Sequence, residues 1–467
     1  MVFSGISFLY LFLPISLAFY HAAPRKAKNA VLLISSVVFY FYGEQMYVLV
    51  MAAETVFSYL LALLIHKCRG RKTARVFLCA AVSFCLLPLG FFKYAGFFAE
   101  TVNAVFGTAF SPALAALPLG ISFYTFQNIG YLVDVYRGRT SPSRDPVAFS
   151  TYISMFPQLV AGPIVRYTDV ENSLRKRAFS ASKFADGVLG FAFGLAKKVI
   201  IADRLYEFCG AFTASADKSV AFCWAYAAAF SMYVYFDFSG YSDMAVGLGK
   251  MFGFDLPKNF DYPLTSRSVG EFWRRWHITL GDWFRDYVYI PLGGNRVSPW
   301  RTALNLFVVW ILTGLWHGAS LNFVLWGAYF GALVVSEKLF FKKALDRLPR
   351  VFSHAYLVTA VMVGFVIFGA ENVLSAFGTL SAMFGAGGLP LWSAETGYYL
   401  GSFMTVLVFA ALFSTPFPSA VVRKMCENKA AKSALSLLEP AAVAVTLTVV
   451  TAYFADSSFS PFLYFRF

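Results

Sequence analysis

Charge is what this sequence has least of. Only 14% of its 467 residues are Asp, Glu, Lys or Arg, against about 25% in an ordinary soluble domain. No room is left for a large soluble domain beside the apolar runs, which recur in uncharged blocks of about 18 residues or more. The six cysteines, Cys68, Cys79, Cys85, Cys209, Cys223 and Cys426, form no CxxC pair and mostly lie in apolar runs. They read as small buried hydrophobes, so neither a disulfide frame nor a zinc site is expected. There is no phosphate-cradling glycine loop, no G-x-S-x-G elbow and no basic-aromatic nucleic-acid module. No internal repeat is visible, which weighs against a transporter.

What is present is apolar and aromatic. Hydrophobic residues make up 58% and aromatics 19%, and mean hydropathy is +0.62. The composition predicts an all-α polytopic membrane protein with roughly ten to twelve crossings of about 20 residues each. Candidate spans fall near 3–22, 30–43, 46–65, 76–92, 101–117, 118–136, 146–165, 184–203, 219–247, two within 302–336, 355–370, 397–414 and 438–455. The net charge of +14 comes from Lys and Arg gathered in short loops. That is the positive-inside pattern, with the lipid bilayer and its anionic headgroups as partner and no nucleic acid. Loops at Arg25, Arg69, Arg175, Lys342 and Arg423 are expected in the cytoplasm. The first apolar run has no positive charge before it, the reverse of a cleaved signal peptide. It reads as a retained helix with its N-terminus outside, and the C-terminal tail is also placed outside.

Two segments depart from plain spanning helices. From Thr302 to Ser336 the chain has 35 residues without Asp, Glu, Lys or Arg, with His317 near the middle. That is too long for one upright span. Gly314, Gly318 and Asn322 invite a break that would set His317 in a cavity wall. An ionisable side chain at membrane depth is a functional-site hypothesis by default. Burying it without a partner costs about 2 kcal/mol or more. A structural bond to a freed backbone carbonyl is the bland alternative.

The second segment, residues 258–301, is basic and aromatic. Trp273, Trp276, Leu280, Trp283, Phe284 and Tyr287 recur at helical spacing, predicting one helix lying at the cytoplasmic interface or dipping into it. His277 sits on its apolar side, either hydrogen-bonded to a neighbour or serving as a second active-site imidazole. Asp237 and Asp243 are two carboxylates in an otherwise uncharged stretch. They could serve acid/base work or carry protons, and read first as partners for arginines of the interfacial helix. Arg137, Arg166, Arg267 and Arg274 are candidate phosphate contacts and equally ordinary loop charges.

Together these motifs resemble the membrane-bound O-acyltransferase (MBOAT) family, in the bacterial branch typified by the membrane subunit of alginate O-acetylation. The matching pieces are Pro118–Gln127, Phe156–Ile164, Asp237–Asp243, Glu271–Gly294, Gly314–Gly318 and the final Phe462–Phe467. Leu321 departs from the branch, which often has tryptophan there. The resemblance implies a single domain over 1–467 with a core at about 118–370, forming a helical ring around a central tunnel. It implies that His317 and His277 are the catalytic histidines. Arg274, Arg275, Trp276 and Trp316 are expected at the donor site or tunnel, with Asp237 and Asp243. No bound cofactor or metal is expected. The donor is acetyl-CoA or another acyl thioester, and the acceptor an extracytoplasmic polysaccharide reached with an SGNH-type partner protein. The setting is the bacterial inner membrane. D-alanyl transfer to teichoic acid and peptidoglycan O-acetylation are alternatives within the family. A proton-coupled transporter and a non-catalytic scaffold are alternatives outside it.

Overall fold

The computed structural model describes residues 3–110 and 116–456. Pro112 and the terminal Phe462–Phe467 motif lie outside them. The described residues are helical, with no strand among them. Six segments are long and apolar enough to cross a membrane: Arg25–Lys67, Lys72–Phe106, Leu321–Arg347, Arg350–Gly369, Ala394–Phe413 and Lys429–Ala455. Phe8–Ala22 and Val373–Met383 are shorter apolar helices. The last two of the six bury little of their surface against protein. Outward apolar surface of this extent needs lipid as its solvent.

The interval 146–165, expected as one span, is instead the helix Pro146–Ser154 followed by the short turn Phe156–Leu159. Pro157 lacks the N–H that would continue the ladder, and Met155 turns the chain at ψ 111°.

The chain divides into two compact units, formed by the described parts of Met1–Phe191 with Tyr241–Lys258 and of Ala192–Gly240 with Asn259–Phe467. In the first, α1 (Lys28–Glu44), α2 (Val48–Lys67), α3 (Lys72–Phe106) and α4 (Ile121–Arg137) are the main helices. Glu54 of α2 is fully buried and accepts from Thr125 Oγ1 at 3.2 Å and Asn128 Nδ2 at 3.4 Å, both on α4. A carboxylate in an apolar bundle needs such donors.

The second unit carries the helices that bear or adjoin His277 and His317. They are the larger part of α5 (Val220–Met251), then α6 (Val269–Arg275), α7 (Ile278–Phe284), α8 (Pro299–His317), α9 (Leu321–Ser336) and α10 (Arg350–Gly369). Ser298 caps α8, accepting from Arg301 N, and Pro299 occupies its first turn, where no donor is needed. The helix ends at His317 because Gly318 is extended, and α9 restarts three residues later. The break expected from Gly314, Gly318 and Asn322 is therefore present. Asn322 Nδ2 donates to Ala370 O at 2.8 Å, tying the start of α9 to the end of α10.

The α8–α9 hairpin packs backbone against backbone. A Cβ on Gly314 would fall 2.3 Å from Phe323 O, and one on Gly327 would fall 2.5 Å from Trp310 O. Only glycine fits at this separation. Gly327→Ala is expected to cost about 1–3 kcal/mol through forced displacement. The check is thermal denaturation in detergent, with Gly378→Ala, whose Cβ meets nothing within 4 Å, leaving the midpoint unchanged.

Candidate active site

The site begins with a fault in a helix. The sequence predicts one continuous interfacial helix, but the structure breaks it at His277, whose φ is +44°. Helix α6 ends at Arg275 and α7 begins at Ile278. The break is imposed by tertiary bonds that helical spacing does not reveal. Asn259 O accepts from Ile278 N at 3.0 Å, and Asp261 N donates to Arg275 O at 2.9 Å.

The start of α6 is held twice. Ser268 Oγ accepts from Glu271 N at 3.0 Å. The carboxylate of Glu337, just past α9, accepts from Val269 N at 2.6 Å and Gly270 N at 2.8 Å. A carboxylate on free N-terminal amides satisfies orphan donors and complements the helix dipole. Trp273 then packs against Trp310, Trp326 and Phe330 at ring separations of 4.8, 5.4 and 4.9 Å.

These elements enclose a cavity of about 940 Å³ that both His277 and His317 line. Both are buried, at 3% and 4% exposure. Trp316 packs between them, 5.8 Å from the His277 ring and 4.9 Å from the His317 ring. Trp326 at 4.9 Å and Phe368 at 5.3 Å further confine His317. Burial pushes the His277 imidazole well below its ordinary range, to about 3, so it is neutral at pH 7. Exposed Arg267, Arg274, Arg285, Lys338 and Lys342 line the outer part of the same cavity. Arg285 is engaged by Asp282 and Asp286. Arg267, Arg274 and Lys342 make no ion pair among the described residues and are open to an anion.

The expected site residues divide accordingly. His277, His317, Arg274 and Trp276 line the cavity, as does Arg267. Arg275 is turned to Glu271 at 2.8 Å, and Trp316 contacts both imidazoles without lining the cavity. Arg137, Arg166 and half-buried Asp243 belong to the first unit. Asp237 is fully buried in α5 and does not line the cavity. Where the sequence suggests an arginine of the interfacial helix as its partner, the structure supplies Lys198, whose Nζ lies 2.7 Å from Asp237 and 2.7 Å from Asp203. Gly240 lets the segment carrying Lys198 approach, since a Cβ there would fall 2.7 Å from Gly194 O. Three residues with clear work here escape sequence reasoning: Asn259, Lys198 and Glu337. Glu337 alone carried a signal, as the first charge after the long neutral run. Among the described residues no cluster of His, Cys, Asp or Glu could hold a metal ion.

Removing one partner of a buried ion pair strands the other, at a cost of about 3–5 kcal/mol. Lys198→Met is expected to lower stability by that order. Lys198→Met combined with Asp237→Leu is expected to recover most of it, both read by denaturation in detergent.

The profile of the MBOAT, membrane-bound O-acyltransferase family matches residues 140–378. The chain is 38% identical to a probable alginate O-acetylase, AlgI, of Azotobacter vinelandii over the full length of both. It is 30% identical to a peptidoglycan O-acetyltransferase of Helicobacter pylori, across 100% of this chain and 98% of that one. A teichoic acid D-alanyltransferase of Bacillus subtilis is 29% identical, across 54% of this chain and 67% of that one. With two buried imidazoles on one cavity in an all-helical, multi-pass membrane protein, this chain belongs to the membrane-bound O-acyltransferase family and is an O-acyltransferase.

Proposed function

We propose that the enzyme moves an acetyl group from a cytoplasmic thioester, acetyl-CoA in the simplest case, to a hydroxyl of an extracytoplasmic polysaccharide. The observation that carries this reading is the shared cavity, with His277 and His317 inside and Arg267, Arg274 and Lys342 at its outer part. A thioester whose handle bears phosphates is an elongated anion. Its phosphates suit the exposed cations, and its reactive carbonyl then reaches the buried imidazoles. His317 acts as general base. It takes the proton of the acceptor hydroxyl as the oxygen attacks the acyl carbonyl, and the proton passes on to the departing thiolate. Such catalysis is typically worth about 10²–10⁴-fold. His277 positions the reactants.

The reading includes a tunnel joining the cavity to the opposite face within a ring of about ten to twelve crossings, each about 20 residues long. It places the chain in the bacterial inner membrane with its N-terminus outside. An SGNH-type protein outside the membrane serves as partner or relay to the polysaccharide. Acetyl is favoured over D-alanyl because full-length similarity is to proteins named for O-acetylation, while similarity to the D-alanyltransferase covers about half the chain.

The test uses purified protein in membrane vesicles with radiolabelled acetyl-CoA supplied on the side of the basic loops. Wild type is expected to release CoA and deliver label to the far side. His317→Ala is expected to lose at least about 10²-fold in transfer while donor binding and melting midpoint stay unchanged. Equal transfer by the two proteins would remove His317 from the chemistry. Loss of folding in His317→Ala would assign it a structural role.

A further inference from the structure

Between the two backbone bonds that break the helix at His277, the Asn259 side chain meets the imidazole. Its Oδ1 lies 3.1 Å from His277 Nδ1. The oxygen and nitrogen ends of an amide are assigned from their neighbours, and here the neighbours decide. Thr279 N, 3.2 Å away, can only donate, so the atom it faces must be oxygen. The Thr279 hydroxyl, at 2.9 Å, donates to the same atom.

An acceptor facing Nδ1 requires the ring proton on Nδ1. A neutral imidazole has one ring proton, so Nε2 is left as a bare lone pair. That Nε2 is buried and has no hydrogen-bond partner among the described residues, on a residue that lines the cavity. Phe238 stands edge-on to the ring, at 87° and 4.7 Å between centroids. It opposes the ring flip that would put Cδ2 in the place of Nδ1. Asn259 is itself buried, so water does not compete for its oxygen.

We propose that Asn259 is a positioning residue that fixes the tautomer of His277, so that Nε2 receives a hydrogen bond from an O–H or N–H of bound substrate. This deepens the acyl-transfer reading and rests on it. It also restricts that reading. A bare Nε2 cannot donate to the oxyanion that forms on the acyl carbonyl, so His277 holds a substrate group and the oxyanion is met by another donor. The pairing resembles a carboxylate or amide fixing a catalytic imidazole elsewhere in enzymology, where a wrong tautomer costs about 10⁴-fold in kcat.

The direct test is nitrogen-15 spectroscopy of full-length protein labelled at its five histidines, in lipid, with His277→Asn used to identify the His277 signals. The expected result is a protonated Nδ1 and a bare Nε2 in wild type. Asn259→Asp keeps an acceptor oxygen and is expected to keep that pattern. Asn259→Leu is expected to shift the ring to the other tautomer or a mixture, and to lower kcat/KM for acyl transfer by about 10²-fold with the melting midpoint held. A proton on Nε2 in wild type would overturn the proposal. So would an Asn259→Leu protein that keeps both the wild-type pattern and full transfer. If Asn259→Leu fails to fold, the wild-type spectrum still decides. A bare Nε2 in a protein that transfers acyl groups from no thioester would leave the tautomer standing and remove the donor reading instead.

Discussion

Left-handed backbone at a residue other than glycine costs about 1–2 kcal/mol, and His277 adopts it where two short helices meet. The surrounding bonds hold it there: Asn259 O to Ile278 N, Asp261 N to Arg275 O, and Asn259 Oδ1 to Thr279. Without the break, α6 and α7 would form one straight rod. With it, Trp276 and His277 turn inward while Arg274 stays exposed on the preceding turn. The cavity thus has a charged outer part and an apolar, imidazole-bearing interior within four residues of sequence. Strain of this kind persists where surrounding structure over-determines it, and it clusters at functional sites.

The parts of this arrangement legible in the sequence are those governed by local rules. A neutral stretch too long for one crossing, interrupted by Gly314 and Gly318, announces a break beside His317, and the break is there. The aromatic spacing of residues 273–287 marks the inward face, where Trp276, Leu280, Trp283 and Phe284 are buried and Trp273 and Tyr287 half-buried. It fails as evidence for a continuous helix, because periodicity survives a one-residue kink. Asp237 shows the other limit. A buried carboxylate demands a cation, but its choice of Lys198 depends on how two helical segments pass at Gly240, which pattern alone does not encode. Asn259 and Glu337 act on residues 18 and 68 positions away. Asn259 stands in no motif with a physical reading of its own, and Glu337 is marked only as the first charge after the neutral run.

Electrostatics separates the two halves of the cavity. Deep inside, the two imidazoles are surrounded by tryptophan and phenylalanine rings, where an ion would be costly. Outside, cations and carboxylates are interspersed: Glu271 holds Arg275 and Asp282 holds Arg285, while Arg267, Arg274 and Lys342 remain open. The charged residues thus lie at the exposed part of the cavity and the imidazoles at its buried part. Since exposed ion pairs are weak, these carboxylates hold the paired arginines only loosely.

The Glu337 carboxylate on the first amides of α6 joins the helix bearing Arg274 to the end of the hairpin that positions His317. Charge-assisted bonds of this type strengthen as the local dielectric falls. Glu337 is already buried, so this joint is shielded from water before any molecule enters the cavity. The cationic helix and the hairpin bearing His317 are thereby tied into one wall by the protein's own bonds.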